Sequence, residues 1–352
     1  MQGWRRAVQG CISLGVLWLL MQGPGIARGQ QVAANSTQPP PVHARSSEDW
    51  NSLSLAGSDL RTEEQILGAK DDLPSFTREL IRVKWRPGDP IDLYVMLPKG
   101  VSKPPVILYL YTYPSETDHF RNNEYCEHLT RDGFAAVGFV SALTGHRYAH
   151  RPMKEWFVSE LQESLVTSVH DVQMILNSLS TRDDLDLSRV GMFGTGSGGT
   201  IAILAAATDP RIKTIDVINP WGDWPEWMAS SSIIPENERP DYVKPEFLRR
   251  VSGLDPVEWL PKLNDRSIRI QQLLDDGVTP KLARDRIDSA APAKAVIVRY
   301  ENSREFFRAV SGARPFQWIK DAVRPPAQAQ SSAATVQKSP SATQVTEAGR
   351  HD

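Results

Sequence analysis

Apolar and polar positions along this chain fall into runs whose period changes from two, to continuous, to about three and a half. "RELIRVKW" and "IDLYVMLP" alternate, and "RPGDP" between them is turn chemistry. The pair predicts an antiparallel hairpin. "PVILYLY" (105–111) and "FAAVGFV" (134–140) are unbroken apolar runs, the pattern of strands covered on both faces. Between them, "NNEYCEHLTRDG" predicts a helix closed by Gly133. From 155 to 179, Phe157, Leu161, Leu165, Val169, Val172, Ile175, Leu176 and Leu179 recur at helical steps and predict one long helix. "RVGMF", "IKTIDVIN", "SIRIQQLL" and "AKAVIVRY" then read as strands. "GGTIAILAAATD", "PKLARDRIDSA", "SREFFRAV" and "PFQWIKDAV" read as helices. A hairpin followed by repeated strand–helix units predicts an α/β fold with a mostly parallel sheet and helices on both faces.

The two ends of the 352-residue chain depart from this pattern. Arg5 and Arg6, the apolar run "CISLGVLWLLM" (11–21) and the small residues of "ARG" (27–29) predict an export signal over 1–29. The run is short for a bilayer span, so a cleaved leader and a secreted or periplasmic protein are expected, with no stable membrane insertion afterwards. Residues 30–74 read as a polar linker and N-terminal extension, 75–322 as the folded domain, and 323–352 as a disordered tail almost without large apolar residues. The net charge of −2 gives no reason to expect nucleic acid as a partner. With Cys11 inside the leader, Cys126 is left alone and no internal disulfide can form. Cys126 reads as a half-buried helix residue rather than a catalytic thiol, since only His128 stands beside it in sequence.

The candidate chemistry begins at "RVGMFGTGSGGTIAILAAA" (189–207), a buried strand, a glycine-rich turn and a helix. With this segment the chain resembles the α/β-hydrolases, nearest the dienelactone-hydrolase and prolyl-oligopeptidase-type serine hydrolases, over roughly residues 75–322. The resemblance implies an eight-stranded sheet, a short cap or lid, a Ser–Asp/Glu–His triad and an oxyanion hole of backbone N–H groups. Two registers fit the elbow glycines Gly194, Gly196 and Gly199. In one, Gly196 stands at the nucleophile position and the N–H of Ser197 serves the oxyanion hole. In the other, "TGSGG" is the elbow, Thr195 replaces its first glycine, and Ser197 is the nucleophile.

The acid of the triad falls on Asp276 in "LLDDGVTP", with Asp275 as the alternative. The base is missing from its place: "RYENSREFF" carries no histidine, and Arg304 or Glu305 stands there instead. Arginine stays protonated and cannot accept the proton. His146, or His150, in "ALTGHRYAHRP" is the substitute, set against a plain surface role. His170 on the long helix reads as structural, and His119 and His128 flank an early helix; the histidine spacings match no compact ligand motif, and neither metal nor cofactor is expected. Tyr111, Thr112, Ser197 and Gly198 are the oxyanion candidates. Trp221, Trp224 and Trp227 either line an apolar pocket or pack a lid onto the sheet.

The expected function is an exported α/β-hydrolase-like protein with a degenerate triad and a pocket for a small ester-like or peptide ligand. The alternative is an active esterase or peptidase that uses Ser197, Asp276 and His146. The sequence leaves the oligomeric state open.

Overall fold

A computed structural model describes residues 48–55, 58–86, 88–114, 117–143, 158–312 and 315–324. The leader, residues 30–47 of the linker, His146, His150 and residues 325–352 of the tail lie outside the described residues. Strands β1 (Ile66–Asp72), β2 (Phe76–Val83), β3 (Ile91–Pro98) and β4 (Pro105–Leu110) come first, followed by helix α1 (Asn123–Thr130) and β5 (Ala135–Gly138). Next are α2 (Leu161–Leu179), β6 (Asp186–Thr195), α3 (Ser197–Thr208) and β7 (Ile212–Ile218). The short helices α4 (Trp224–Ser230), α5 (Arg239–Tyr242), α6 (Pro245–Val251) and α7 (Pro256–Trp259) intervene before β8 (Ser267–Leu273). The chain closes with α8 (Lys281–Ala290), β9 (Val296–Tyr300), α9 (Ser303–Gly312) and α10 (Gln317–Val323).

These strands form one sheet in the order β1-β2-β3-β5-β4-β6-β7-β8-β9. The hairpin β2–β3 is antiparallel, with Val83 opposite Ile91, and every pair from β5–β4 to β8–β9 is parallel. The sheet therefore has nine strands where eight were expected. The extra one, β1, pairs antiparallel with β2 at the sheet edge and slips register between Leu67 and Ala69. Its sequence, "ILGAKDD", does not alternate because neither face is covered; every residue of β1 is exposed. Ion pairs from Lys70 to Glu79 and from Asp71 to Arg78 hold it, and charges of this kind protect an edge from further strand pairing.

The period of two in the central strands sorts side chains into two cores. Val106, Leu108 and Leu110 of β4 pack with α2 and α3 on one face; Ile107, Tyr109 and Tyr111 pack with α1, α9 and α10 on the other. Each fully buried aliphatic side chain stabilises the fold by about 1.5–3 kcal/mol, which is why the doubly covered strands read as continuous apolar runs. The buried Lys320 ammonium on α10 donates to the carbonyls of His128 (2.9 Å) and Arg131 (2.7 Å), satisfying orphan acceptors at the end of α1. Among the described residues, no helix is long and apolar enough to cross a membrane.

Candidate active site: the elbow between β6 and α3

Strand β6 delivers the chain to α3 through Gly196, which has φ +51° and ψ −120°. That backbone region is strained for any residue with a side chain. Gly196 N–H donates to Ile218 O at the end of β7 (2.9 Å), and its carbonyl accepts from Thr200 N (3.1 Å), starting the helix. The strained tip is thus Gly196, and Ser197 is the first residue of α3. A Cβ added to Gly196 would strike Thr112 Oγ1, lie 2.9 Å from Thr112 Cβ and 3.2 Å from Trp221 Nε1. The volume beside the tip, where a nucleophile's side chain would begin, belongs to Thr112. Gly198 is needed for a different reason: a Cβ there would run into the backbone of Leu110, because α3 and the end of β4 pass in contact.

The backbone donors after β4 are already engaged. Thr112 N–H donates to Thr195 Oγ1 (3.0 Å), and Tyr113 N–H donates to Ser197 Oγ (2.9 Å). Thr195 and Ser197 are both buried. Two hydroxyls of the elbow therefore cap two amides of the facing loop. Tyr111 is turned away from them: its hydroxyl meets that of Tyr125, and its ring lies 4.6 Å from the His119 ring. Burial, with Tyr125 beside it, pushes the Tyr111 hydroxyl well above its ordinary range, so it stays neutral. Burial pushes the His119 ring down, which favours the neutral imidazole.

Asp276 sits in the loop after β8. Its Oδ1 accepts from Val278 N–H (3.0 Å) and its Oδ2 from Asn219 Nδ2 (2.9 Å). Burial raises the carboxyl above the usual carboxylate range, partly offset by the Val278 amide, the Thr279 hydroxyl, Arg284 and Asn219. Asn219 itself stands in the left-handed region at φ +44°, just past β7. Its side chain also accepts from Leu273 N–H (2.7 Å), so one amide group bridges β8 and the acid loop. Arg284 clamps the same loop by donating to the carbonyls of Leu274 (2.9 Å), Asp276 (3.0 Å) and Thr279 (2.6 Å). Asn219→Gly keeps the backbone permitted but deletes both side-chain bonds. It should cost about 2–3 kcal/mol in urea denaturation, because Leu273 N–H loses a partner at a buried site and Asp276 at a part-buried one.

The connection after β9 is short and carries no histidine. Only Glu301 and Asn302 separate Tyr300 from α9. Asn302 Oδ1 accepts from Glu305 N–H (3.0 Å), and Glu305 Oε2 reaches back to Glu301 N–H (2.6 Å). Glu305 is thereby committed to the helix start, in the manner of a capping box, while Arg304 is exposed.

The tryptophans lie in the core rather than on an open wall. Trp221, Trp224 and Trp227 are 3%, 1% and 0% exposed. Trp227 stacks on Trp221 at 5.0 Å and meets Trp224 edge-on at 5.7 Å. Asp255 pins this segment by accepting from Asp223 N–H (2.9 Å) and Trp224 N–H (2.8 Å). Cys126 is fully buried, its thiol pushed up to about 11 by burial against the opposing pull of Arg78, and it is not a reactive thiolate. No group of three or more potential metal ligands occurs among the described residues.

Sequence reasoning named Gly196, Ser197, Thr112 and Asp276 but missed what each touches. Thr195 as an amide cap, Asn219 as a bridge and Arg284 as a clamp carry no local motif. They join positions 54 to 83 residues apart, or hold backbone carbonyls rather than side chains.

No protein-family model and no curated protein matches this sequence. Solved structures do match. Acetyl xylan esterase 1 from a Thermoanaerobacterium species superposes with a TM-score of 0.58 at 15% identity, covering 76% of this chain and 91% of that one. An acetyl xylan esterase from a Paenibacillus species gives 0.56 at 17% identity, covering 75% and 92%. A puromycin-hydrolysing peptidase from Mycobacterium tuberculosis gives 0.50 at 15% identity, covering 71% and 44%. The chain has the α/β-hydrolase fold, the fold of serine hydrolases. Serine hydrolases of that fold carry their nucleophile on a strand-to-helix turn, and residues 194–198 make a turn of that kind.

Proposed function

We propose that this protein is an exported hydrolase-like binding protein whose catalytic centre has closed in on itself. It takes a small ester-like or peptide ligand without turning it over. The observation that carries this reading is the glycine at the elbow tip, with Thr112 filling the space a nucleophile would use. Three further features support it. The Ser197 hydroxyl is buried and accepts a backbone amide. Among the described residues, the Asp276 oxygens accept from Asn219 and Val278 and not from an imidazole. The turn after β9 is a helix cap without histidine. A serine hydroxyl needs an adjacent base to attack an acyl carbon at neutral pH. The ligand class rests on the esterases and the peptidase that share the fold, and export to the periplasm or beyond rests on the leader.

The test is a fluorophosphonate probe on the mature protein, with p-nitrophenyl acetate turnover measured in parallel. No serine is labelled, and turnover stays at the level of the buffer. Labelling of Ser197 that disappears in Ser197→Ala, together with turnover, would establish the active esterase or peptidase instead.

A further inference from the structure

The two edges of the sheet are built differently. At one, β1 is exposed throughout, slips register and carries Lys70, Asp71 and Asp72, all of which discourage a further strand. At the other, β9 reads "VIVRY" and pairs with β8 from Val296 to Tyr300 without a bulge. Val296 is 42% exposed. Ile297 and Val298 are half-buried, and Ile297 packs into neither core. The one charged residue of the strand, Arg299, is turned to Asp288 of α8 (2.5 Å). Three β-branched aliphatic residues thus stand in a row on an edge without proline, bulge or free charge to guard it.

The direction of its backbone groups follows from one bond. Leu274 N–H donates to Tyr300 O (2.8 Å), so Tyr300 turns its backbone toward β8. Alternate residues of a strand point their N–H and C=O to opposite sides. Val296 and Val298 therefore face β8 with Tyr300, and Ile297 and Arg299 present theirs to the open edge.

We propose that β9 is a homodimer seam. It pairs antiparallel with β9 of a second copy about a two-fold axis at Ile297, joining two nine-stranded sheets into one. In that register Ile297 meets Ile297 of the second copy, and Val296 meets Val298 twice. Apolar side chains cover apolar side chains on both faces, and the outward N–H of each Ile297 donates to the carbonyl of the other.

The ends of the strand fix the direction. Lys294 precedes it and Glu301 follows it, both exposed. Antiparallel pairing sets Lys294 opposite Tyr300 of the second copy, one residue from its Glu301, at both ends of the seam. Parallel pairing would set lysine beside lysine. The chain's own tail is a poorer match, since residues 325–352 hold only two large apolar residues, Val336 and Val345, and no run to meet Val-Ile-Val. Five residues a side are fewer than the roughly 20–30 of a stable interface, so the dimer is weak and its population follows concentration.

Sedimentation equilibrium of the full mature chain over a wide range of concentration tests this. The mass rises from one chain toward two. Ile297→Lys sets two ammonium groups directly opposite each other and raises the dissociation constant by roughly tenfold or more. Ile297→Pro removes an outward N–H that β8 does not use, so it gives monomer while β6 amides stay protected from exchange. Ile297→Cys, oxidised with copper phenanthroline, forms a disulfide dimer, because opposed residues of such a pair stand about 5.5 Å apart at Cα. Leu67→Cys on β1 does not, although Leu67 is the more exposed side chain. Cys126 is buried and takes no part. A chain that stays monomeric at every concentration overturns the proposal, as does a dimer that Ile297→Lys leaves unchanged, or crosslinking at Leu67 as fast as at Ile297. Protection of the Ile297 and Arg299 amides that vanishes when the chain is ended at Arg324 would make the tail the occupant and overturns it too.

Discussion

Gly196→Ser is expected to lower stability by about 2–6 kcal/mol and to yield no esterase activity. Two costs add. A side chain at φ +51°, ψ −120° carries backbone strain of order 1–3 kcal/mol. Its Cβ would overlap Thr112, and forcing atoms into filled space costs about 1–3 kcal/mol more. Active serine hydrolases of this fold tolerate the strain because the side chain points into open space; here it meets a neighbour. Thr112→Gly in the same chain should recover about 1–2 kcal/mol, a coupling that urea denaturation of the four members of the cycle would reveal. Even the double variant should leave p-nitrophenyl acetate unhydrolysed, since the turn after β9 supplies no imidazole. A stable Gly196→Ser protein with serine-dependent turnover would refute the closed-site reading.

Trp227→Ala should cost about 3–5 kcal/mol, the range for removing a large aromatic from a filled core. Trp227 is fully buried between Trp221 and Trp224, so little can move into the space it leaves. For a domain of this size the loss corresponds to roughly 10 °C in Tm. A tryptophan that merely lined a ligand pocket would give a small stability change and a large change in ligand affinity, so thermal denaturation separates the two roles.

Much of the architecture was legible because it rests on local period. The alternation within β2 and β3 and the unbroken runs of β4 and β7 follow from which faces are covered. The helical spacing through α2 follows from the apolar stripe that meets the sheet, while its polar side chains are buried under residues 48–53. β1 escaped because both its faces are solvent-exposed, so nothing selects an apolar residue at any second position. The tryptophans of 221–227 show a different limit: an apolar aromatic near a site reads the same whether it faces a ligand or a neighbouring ring.

At the elbow, the glycine motif marked the turn, and the side chain filling it came from 84 residues earlier in the sequence. Nothing around Thr112 announces that it will stand beside Gly196. The same holds for residues 48–51, where "EDWN" reads as linker chemistry and its hydrogen-bond partners lie on a helix more than a hundred residues away.

The capping of Thr112 and Tyr113 by the hydroxyls of Thr195 and Ser197 also bears on which residues these two positions accept. Each hydroxyl satisfies a backbone donor of the facing loop, so an apolar replacement at either position leaves that amide without its partner at a cost of about 1–3 kcal/mol. Serine and threonine should therefore exchange at 195 and 197 more readily than any aliphatic residue enters.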